Sequence, residues 1–132
     1  MKKKFKFSSE IRNLALAESI VDSIAQKINL DEKYYGNILL SLSEAINNAI
    51  IHGNKLDSKK FVTVIYKIKD NILEISVEDE GNGFDPDSVP DPTAPENLEK
   101  ETGRGLFIIK NLCDQVSFEK NGKLIKMKFF LK

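Results

Sequence analysis

Apolar and polar positions alternate along this chain with two different periods. Lys3 to Phe7 interleaves lysine with phenylalanine and predicts a short strand. Ser8-Ser9-Glu10 then offers helix-start chemistry. From there Ile11, Leu14, Ala15, Ala17, Ile20, Val21, Ile24 and Ile28 recur at three- and four-residue intervals. That spacing predicts an amphipathic helix ending near Asn29. Asp31 can cap a second helix, whose apolar residues are Tyr35, Ile38, Leu42, Ala45, Ile46 and Ala49. It stops at His52-Gly53-Asn54, where Gly53 is a natural terminator. Two helices with one-sided apolar stripes call for a flat apolar surface to lie on.

The following residues supply that surface. Phe61 to Lys69 is β-branched and aromatic, Asp70-Asn71 is turn material, and Ile72 to Val77 continues as a second strand, so a hairpin is expected. Between Gly81 and Gly103 the character changes: Pro86, Pro90, Pro92 and Pro95 all fall here among several acids. A loop of about twenty residues inside a compact domain is commonly functional or disordered. A short helix, roughly Arg104 to Leu112, follows. A last hairpin runs from Gln115 to Glu119, through Asn121-Gly122, into Leu124 to Leu131. In that strand Ile125, Met127, Phe129 and Leu131 share one face, leaving Lys126 and Lys128 to the solvent. The fold class expected is α+β: a two-layer α/β sandwich with a mixed, mostly antiparallel sheet and its helices on one face.

Composition narrows the function. The 132 residues suffice for one domain, and 41% hydrophobic residues suffice for a packed interior. Lys plus Arg is 20 and Asp plus Glu is 20, so the net basic footprint of a nucleic-acid binder is missing and no nucleic acid partner is expected. No stretch approaches the roughly 18 apolar residues of a membrane span, and the basic N-terminus lacks the apolar core of a signal peptide. A cytoplasmic protein without a membrane partner is the expectation. A single cysteine, Cys113, excludes an internal disulfide and a cysteine-rich zinc site.

Three places can carry chemistry. In Leu73-Glu74-Ile75-Ser76-Val77-Glu78-Asp79, strand parity puts Asp79 on the side of Leu73, Ile75 and Val77. A carboxylate at the rim of an apolar layer needs a hydrogen-bonding partner. A backbone N–H of the adjacent glycine turn, a nearby lysine or a ligand amino group would each serve. Glu80-Gly81-Asn82-Gly83-Phe84 follows directly, and two glycines one residue apart allow close approach to the backbone. No helix follows it, and Pro86 stands where a dinucleotide fingerprint needs its third glycine; no P-loop occurs either.

The second place is Thr102-Gly103-Arg104-Gly105-Leu106, at the start of a helix. A helix N-terminus exposes free N–H groups that suit phosphate, Arg104 adds a charge, and Thr102 can act as N-cap. An ordinary glycine hinge would read the same. The third is the row Glu44, Asn48, His52, spaced by four on the second helix beside its apolar stripe. Glu44 offers a base and Asn48 an oxygen for a hard cation such as Mg²⁺. His52 reads as a helix-end residue favoured by the dipole. A solvated polar shoulder is the plainer account of the row.

Taken together and in this order, these residues resemble the GHKL-type nucleotide-binding domain shared by gyrase B, a heat-shock chaperone, histidine kinases and MutL. Within that superfamily they are most similar to the bacterial anti-sigma factor serine-protein kinases. The features are Ser43-Glu44-Ala45-x-x-Asn48-Ala49-x-x-His52-Gly53, then Asp79-Glu80-Gly81-Asn82-Gly83-Phe84-Asp85, then Gly103-Arg104-Gly105-Leu106. Histidine kinases would add a phosphoacceptor domain, and the gyrase relatives a transducer domain, for which 132 residues leave no room. The resemblance covers almost the whole chain.

The resemblance implies a Bergerat ATP-binding fold over residues 1–132, with an ATP lid at about 84–102. It implies ATP and Mg²⁺ as cofactors, Asn48 as the residue that holds the metal, and Glu44 as general base for an attacking serine hydroxyl. Asp79 would accept from the adenine amino group, and Gly81 and Gly83 would let the backbone approach the base. Thr102, Gly103, Arg104, Gly105 and Leu106 would surround the phosphates. The partners implied are an anti-sigma factor antagonist carrying the serine, a sigma factor held inactive, and a second copy in a homodimer. The alternative expectation is a nucleotide-gated protein-binding module without kinase activity, which differs only at Glu44 and at the partner. A purely structural domain with two glycine turns would show no ATP affinity.

Overall fold

The structure is a computed structural model that describes residues 1–82 and 101–131, the side chains of 101 and 102 excepted. The lid assigned to about 84–102 therefore lies almost wholly outside the described residues, as does Gly83. Five strands form one sheet in the order β1-β2-β3-β5-β4. They are β1 (Lys2–Ser8), β2 (Phe61–Lys69), β3 (Ile72–Glu78), β4 (Gln115–Glu119) and β5 (Leu124–Phe130). Every pairing is antiparallel, so the sheet is not mixed. The β2–β3 turn places Asp70 and Asn71 at φ 52° and 63°, the left-handed pair that a two-residue hairpin demands and that Asp and Asn tolerate.

Among the described residues three α-helices complete the layer: α1 (Leu16–Ile28), α2 (Glu32–Asn47) and α3 (Glu101–Leu112). Residues Ile11–Ala15, read as the start of the first helix, are a separate 3₁₀ turn. Ser9 does not cap it, because its hydroxyl donates to the Lys60 carbonyl at 2.9 Å instead. α1 ends on Asn29 at φ 53°. Asp31 caps α2 by accepting from the Lys33 N–H at 3.1 Å, and the Tyr35 hydroxyl donates to Asp22, tying α2 to α1.

The core lies between the layers. Val64, Tyr66, Leu73, Ile75 and Met127 rise from the sheet, and Ile24, Leu42, Ile46 and Ile109 descend from the helices, all fully buried. Each such side chain contributes about 1.5–3 kcal/mol by leaving water. These contacts hold α2 against α3 and against the sheet, which fixes the end of the molecule where the polar residues collect.

Candidate functional site

α2 does not stop at Asn47. Its backbone widens into a π-helix over Asn48–Gly53 before ending at Asn54. The wide turn is closed by the Asn54 N–H donating to the Ala49 carbonyl at 2.8 Å, five residues back. The spacing of four that joins Glu44, Asn48 and His52 therefore holds only as far as Asn48. π-turns within helices recur at functional sites.

The row is not a solvated shoulder. Asn48 is 6% exposed, and its side chain makes no hydrogen bond among the described residues. Glu44 is half-buried and stands against α3: a β-carbon at Gly105 would come within 2.9 Å of Glu44 Oε2. Gly105 is thus the gap that admits the Glu44 carboxylate. Glu44, Asn47, Arg104, Gly105 and Leu14 line one open cleft of about 430 Å³ between α2, α3 and the 3₁₀ turn. His52 is half-buried, and its Nε2 is a buried atom with no hydrogen-bond partner, so it is not a simple solvated helix end.

α3 covers Glu101–Leu112, so Thr102 lies within the helix and is not its N-cap. Nothing further is described of the Thr102 side chain. Arg104 is exposed at the cleft. Leu106 is 2% exposed in the core, so its side chain anchors α3 and does not face the cleft.

Asp79 follows β3 on the inner face, as parity requires, and is 8% exposed. Its Oδ1 accepts the Gly81 N–H at 2.8 Å, which is the backbone partner the sequence allowed. No other donor among the described residues reaches the carboxylate, so one oxygen remains for a ligand donor. Burial pushes its carboxyl above the ordinary carboxylate range, while the Gly81 N–H and the Lys123 ammonium pull it back. The carboxylate lies directly on the end of the π-helix. A β-carbon at Gly53 would strike both of its oxygens, and one at Gly81 would strike the Gly53 carbonyl. These two glycines are needed for close approach, not for an unusual φ.

Sequence reasoning missed the residue that fastens this corner. Asn54 is 1% exposed; its Oδ1 accepts the Glu80 N–H at 2.7 Å, and its Nδ2 donates to Ser9 Oγ at 2.7 Å and to the Phe61 carbonyl at 3.1 Å. As the residue after a terminal glycine it reads as loop. The one signal that could have found it is the rule that a buried turn must satisfy its N–H groups. Cys113 has no part here: burial pushes its thiol up to about 11, so it is not a nucleophile at neutral pH.

Glu44 against α3, Asn48 with no side-chain hydrogen bond among the described residues, and Gly53 against the Asp79 carboxylate follow one another along one helical run. At 1.5 Å per residue that run spans at most about 13 Å. Among the described residues no group of three His, Cys, Asp or Glu could hold a metal ion alone. A cation such as Mg²⁺, which takes one or two protein oxygens and completes its shell with phosphates and water, does fit the single carboxamide of Asn48.

The model of the histidine kinase-like ATPase domain family matches residues 7–129. The anti-sigma F factor of Shouchella clausii is 32% identical over 113 residues, 83% of this chain and 77% of that protein. The anti-sigma F factor of Caldanaerobacter subterraneus is 30% identical over 129 residues, 92% and 88% of the two chains. The serine-protein kinase RsbW of Staphylococcus epidermidis is 31% identical over 101 residues, and the match spans 64% of its length. Among solved structures, the RsbU and RsbW domains of Rv1364c from Mycobacterium tuberculosis superpose with a TM-score of 0.68 at 15% identity, over 99% of this chain and 32% of that one, which speaks for the fold. The chain belongs to the histidine kinase-like ATPase domain family.

Proposed function

We propose that this chain is a cytoplasmic ATP-dependent protein serine kinase and anti-sigma factor. In this reading it phosphorylates a serine of an anti-sigma factor antagonist and sequesters a sigma factor, as a single domain with a lid at about 84–102. The observation that carries the reading is the placement of Glu44, whose Oε2 fills the gap left by Gly105 at the α2–α3 cleft. The names borne by its relatives, anti-sigma F factor and serine-protein kinase, support the same reading.

Asp79 accepts the adenine amino group on its remaining oxygen. Gly53, Gly81 and Gly83 bring backbone to the base. The Gly103 N–H and Arg104 hold phosphate oxygens at the start of α3. Asn48 supplies the protein's ligand to Mg²⁺, which when bound neutralises charge on the transferring phosphoryl group. Glu44 takes the proton of the incoming serine hydroxyl.

Incubation with Mg-ATP and the antagonist should yield phosphoserine. Glu44→Gln should lose transfer by about 10²–10⁴-fold while binding ATP as before. Undiminished transfer by that variant refutes the role of Glu44. ATP-dependent capture of the partner with no phosphoprotein formed would instead identify a nucleotide-gated binding module.

A further inference from the structure

The Asn54 carboxamide is a fastening outside the three sequence boxes, and its orientation is settled by its partners. Only an oxygen can face the Glu80 N–H, and only the amide nitrogen can face the Phe61 carbonyl. Ser9 Oγ continues the chain by accepting from Asn54 and donating to the Lys60 carbonyl. The turn after β3 is held on its other side as well: the Asp79 N–H donates to the Lys123 carbonyl at 2.9 Å, and the Glu80 carboxylate accepts the Phe61 N–H at 3.0 Å. Asn54 is the only anchor in this set that belongs to the helical layer.

We propose that Asn54 is a positioning residue for base selectivity, aiming the Asp79 carboxylate so that the site takes a 6-aminopurine and rejects a 6-oxopurine. This rests on the ATP reading given above. A carboxylate attracts an amino group and repels a carbonyl oxygen, but it discriminates only if it cannot turn or retreat. The Gly53 wall stops retreat towards the helix. The Gly81 N–H at 2.8 Å stops rotation. The Gly81 bond lies within the turn and travels with it, but the Gly53 wall acts only while the turn stays seated against the helix end, and the Glu80–Asn54 bond seats it. Without that bond the Asp79–Gly81 turn stays attached to the sheet but can lift off Gly53, and the carboxylate can swing away from a guanine carbonyl.

The test is calorimetric titration of ATP and of GTP into the full chain and its variants. Wild type should bind ATP far better than GTP. Asn54→Ala should narrow the ATP-over-GTP ratio by tenfold or more. Asn54→Asp, which keeps the oxygen facing Glu80, should keep the ratio within about threefold of wild type, although two donors are lost and stability falls. Ser9→Ala, which leaves the Glu80–Asn54 bond in place, should also keep the ratio. If Asn54→Ala does not fold, Asn54→Ser repeats the measurement with a hydroxyl too short to reach Glu80 and room for water. A purely structural role predicts weaker binding of both nucleotides at an unchanged ratio, and that result in the Ala or Ser variant overturns the proposal. So does a collapse of the ratio in Asn54→Asp equal to that in Asn54→Ala. Failure of wild type to bind ATP at all would overturn the functional reading instead.

Discussion

Gly53→Ala is the sharpest probe of the corner where helix and sheet meet. A β-carbon at this position would stand 2.8 Å from Asp79 Oδ1 and nearer still to the rest of the carboxylate. Cγ and Oδ2 stand nearest, so restoring an ordinary contact of 3.4 Å requires the carboxylate to move by about 1 Å. Its Oδ1 holds the Gly81 N–H at 2.8 Å, and a displacement of that size carries the bond out of hydrogen-bonding range. A hydrogen bond to a charged group is worth about 1.5–3 kcal/mol, and an overpacked site costs about 1–3 kcal/mol. Because the obstacle is a side chain, the fold should survive, with stability lower by about 1–3 kcal/mol. The carboxylate's aim should not survive: ATP affinity should fall at least tenfold, about 1.4 kcal/mol. Urea unfolding and calorimetric ATP titration on the same protein read both quantities. Gly36→Ala is the control, since a β-carbon there meets nothing within 4 Å on α2. It should raise stability by about 0.5–1 kcal/mol and leave ATP binding alone. Wild-type affinity and stability in Gly53→Ala would refute the cradle.

Gly105→Ala separates the two ends of the site. Its β-carbon would press on Glu44 Oε2, the far end of a flexible side chain, so thermal stability should hold or rise while phosphotransfer falls tenfold or more at unchanged ATP affinity. Asp79→Asn tests the buried charge. A carboxyl raised in the folded state binds its proton more tightly there, so its stabilising contribution is complete below the unfolded value of 3.8 and is lost as pH rises through the folded one. The Asn variant should therefore gain stability relative to wild type as pH rises through that window, and a difference that stays flat with pH in urea melts would contradict the assignment. Leu56 stands at φ 61° and is 46% exposed. Leu56→Gly should relieve about 1–2 kcal/mol of left-handed strain against about 0.5–1 kcal/mol of chain entropy, raising the urea midpoint slightly with no change of slope.

The elements were legible because burial imposes a period. Alternation in β3 predicted not only Leu73, Ile75 and Val77 facing inward but the position of Asp79 beyond them, since parity does not depend on what the residue is. The Asp31 cap and the Asp70-Asn71 turn were legible for a related reason: short polar side chains bond to their own neighbouring backbone. What could not be read was anything fixed by a partner distant in sequence. Asn54 meets Glu80, 26 residues away, and Ser9, 45 residues away, so no local pattern records either contact. The helical row failed at His52 because counting in fours assumes an α-helix, and nothing in Asn48-Ala49-Ile50-Ile51-His52-Gly53 announces a wider turn.

That wider turn explains why the site collects where it does. An α-helical end would send the Asn54 N–H to the Ile50 carbonyl; it goes to Ala49, and Ile50 accepts from Leu56 at 2.8 Å instead. The backbone groups remain satisfied, but the chain leaves the helix in a different direction. Lys55 and Leu56 must then both adopt left-handed φ, of 53° and 61°. Two such residues carrying side chains cost about 1–2 kcal/mol each. The return for that strain is geometric: the exit brings the flat face of Gly53 against the Asp79 carboxylate and the Asn54 amide against the Glu80 N–H. Asn48, where the wide turn begins, is a largely buried residue whose carboxamide has no hydrogen bond among the described residues. A regular helix through the same residues would keep Glu44 at its cleft, because Glu44 precedes the change, but it would turn Gly53 and Asn54 away from the sheet. The chemistry proposed for Glu44 and the recognition proposed for Asp79 are thus set by separate stretches of one helix. Substitutions at Lys55 and Leu56 should accordingly act on base recognition and leave the Glu44 end unmoved.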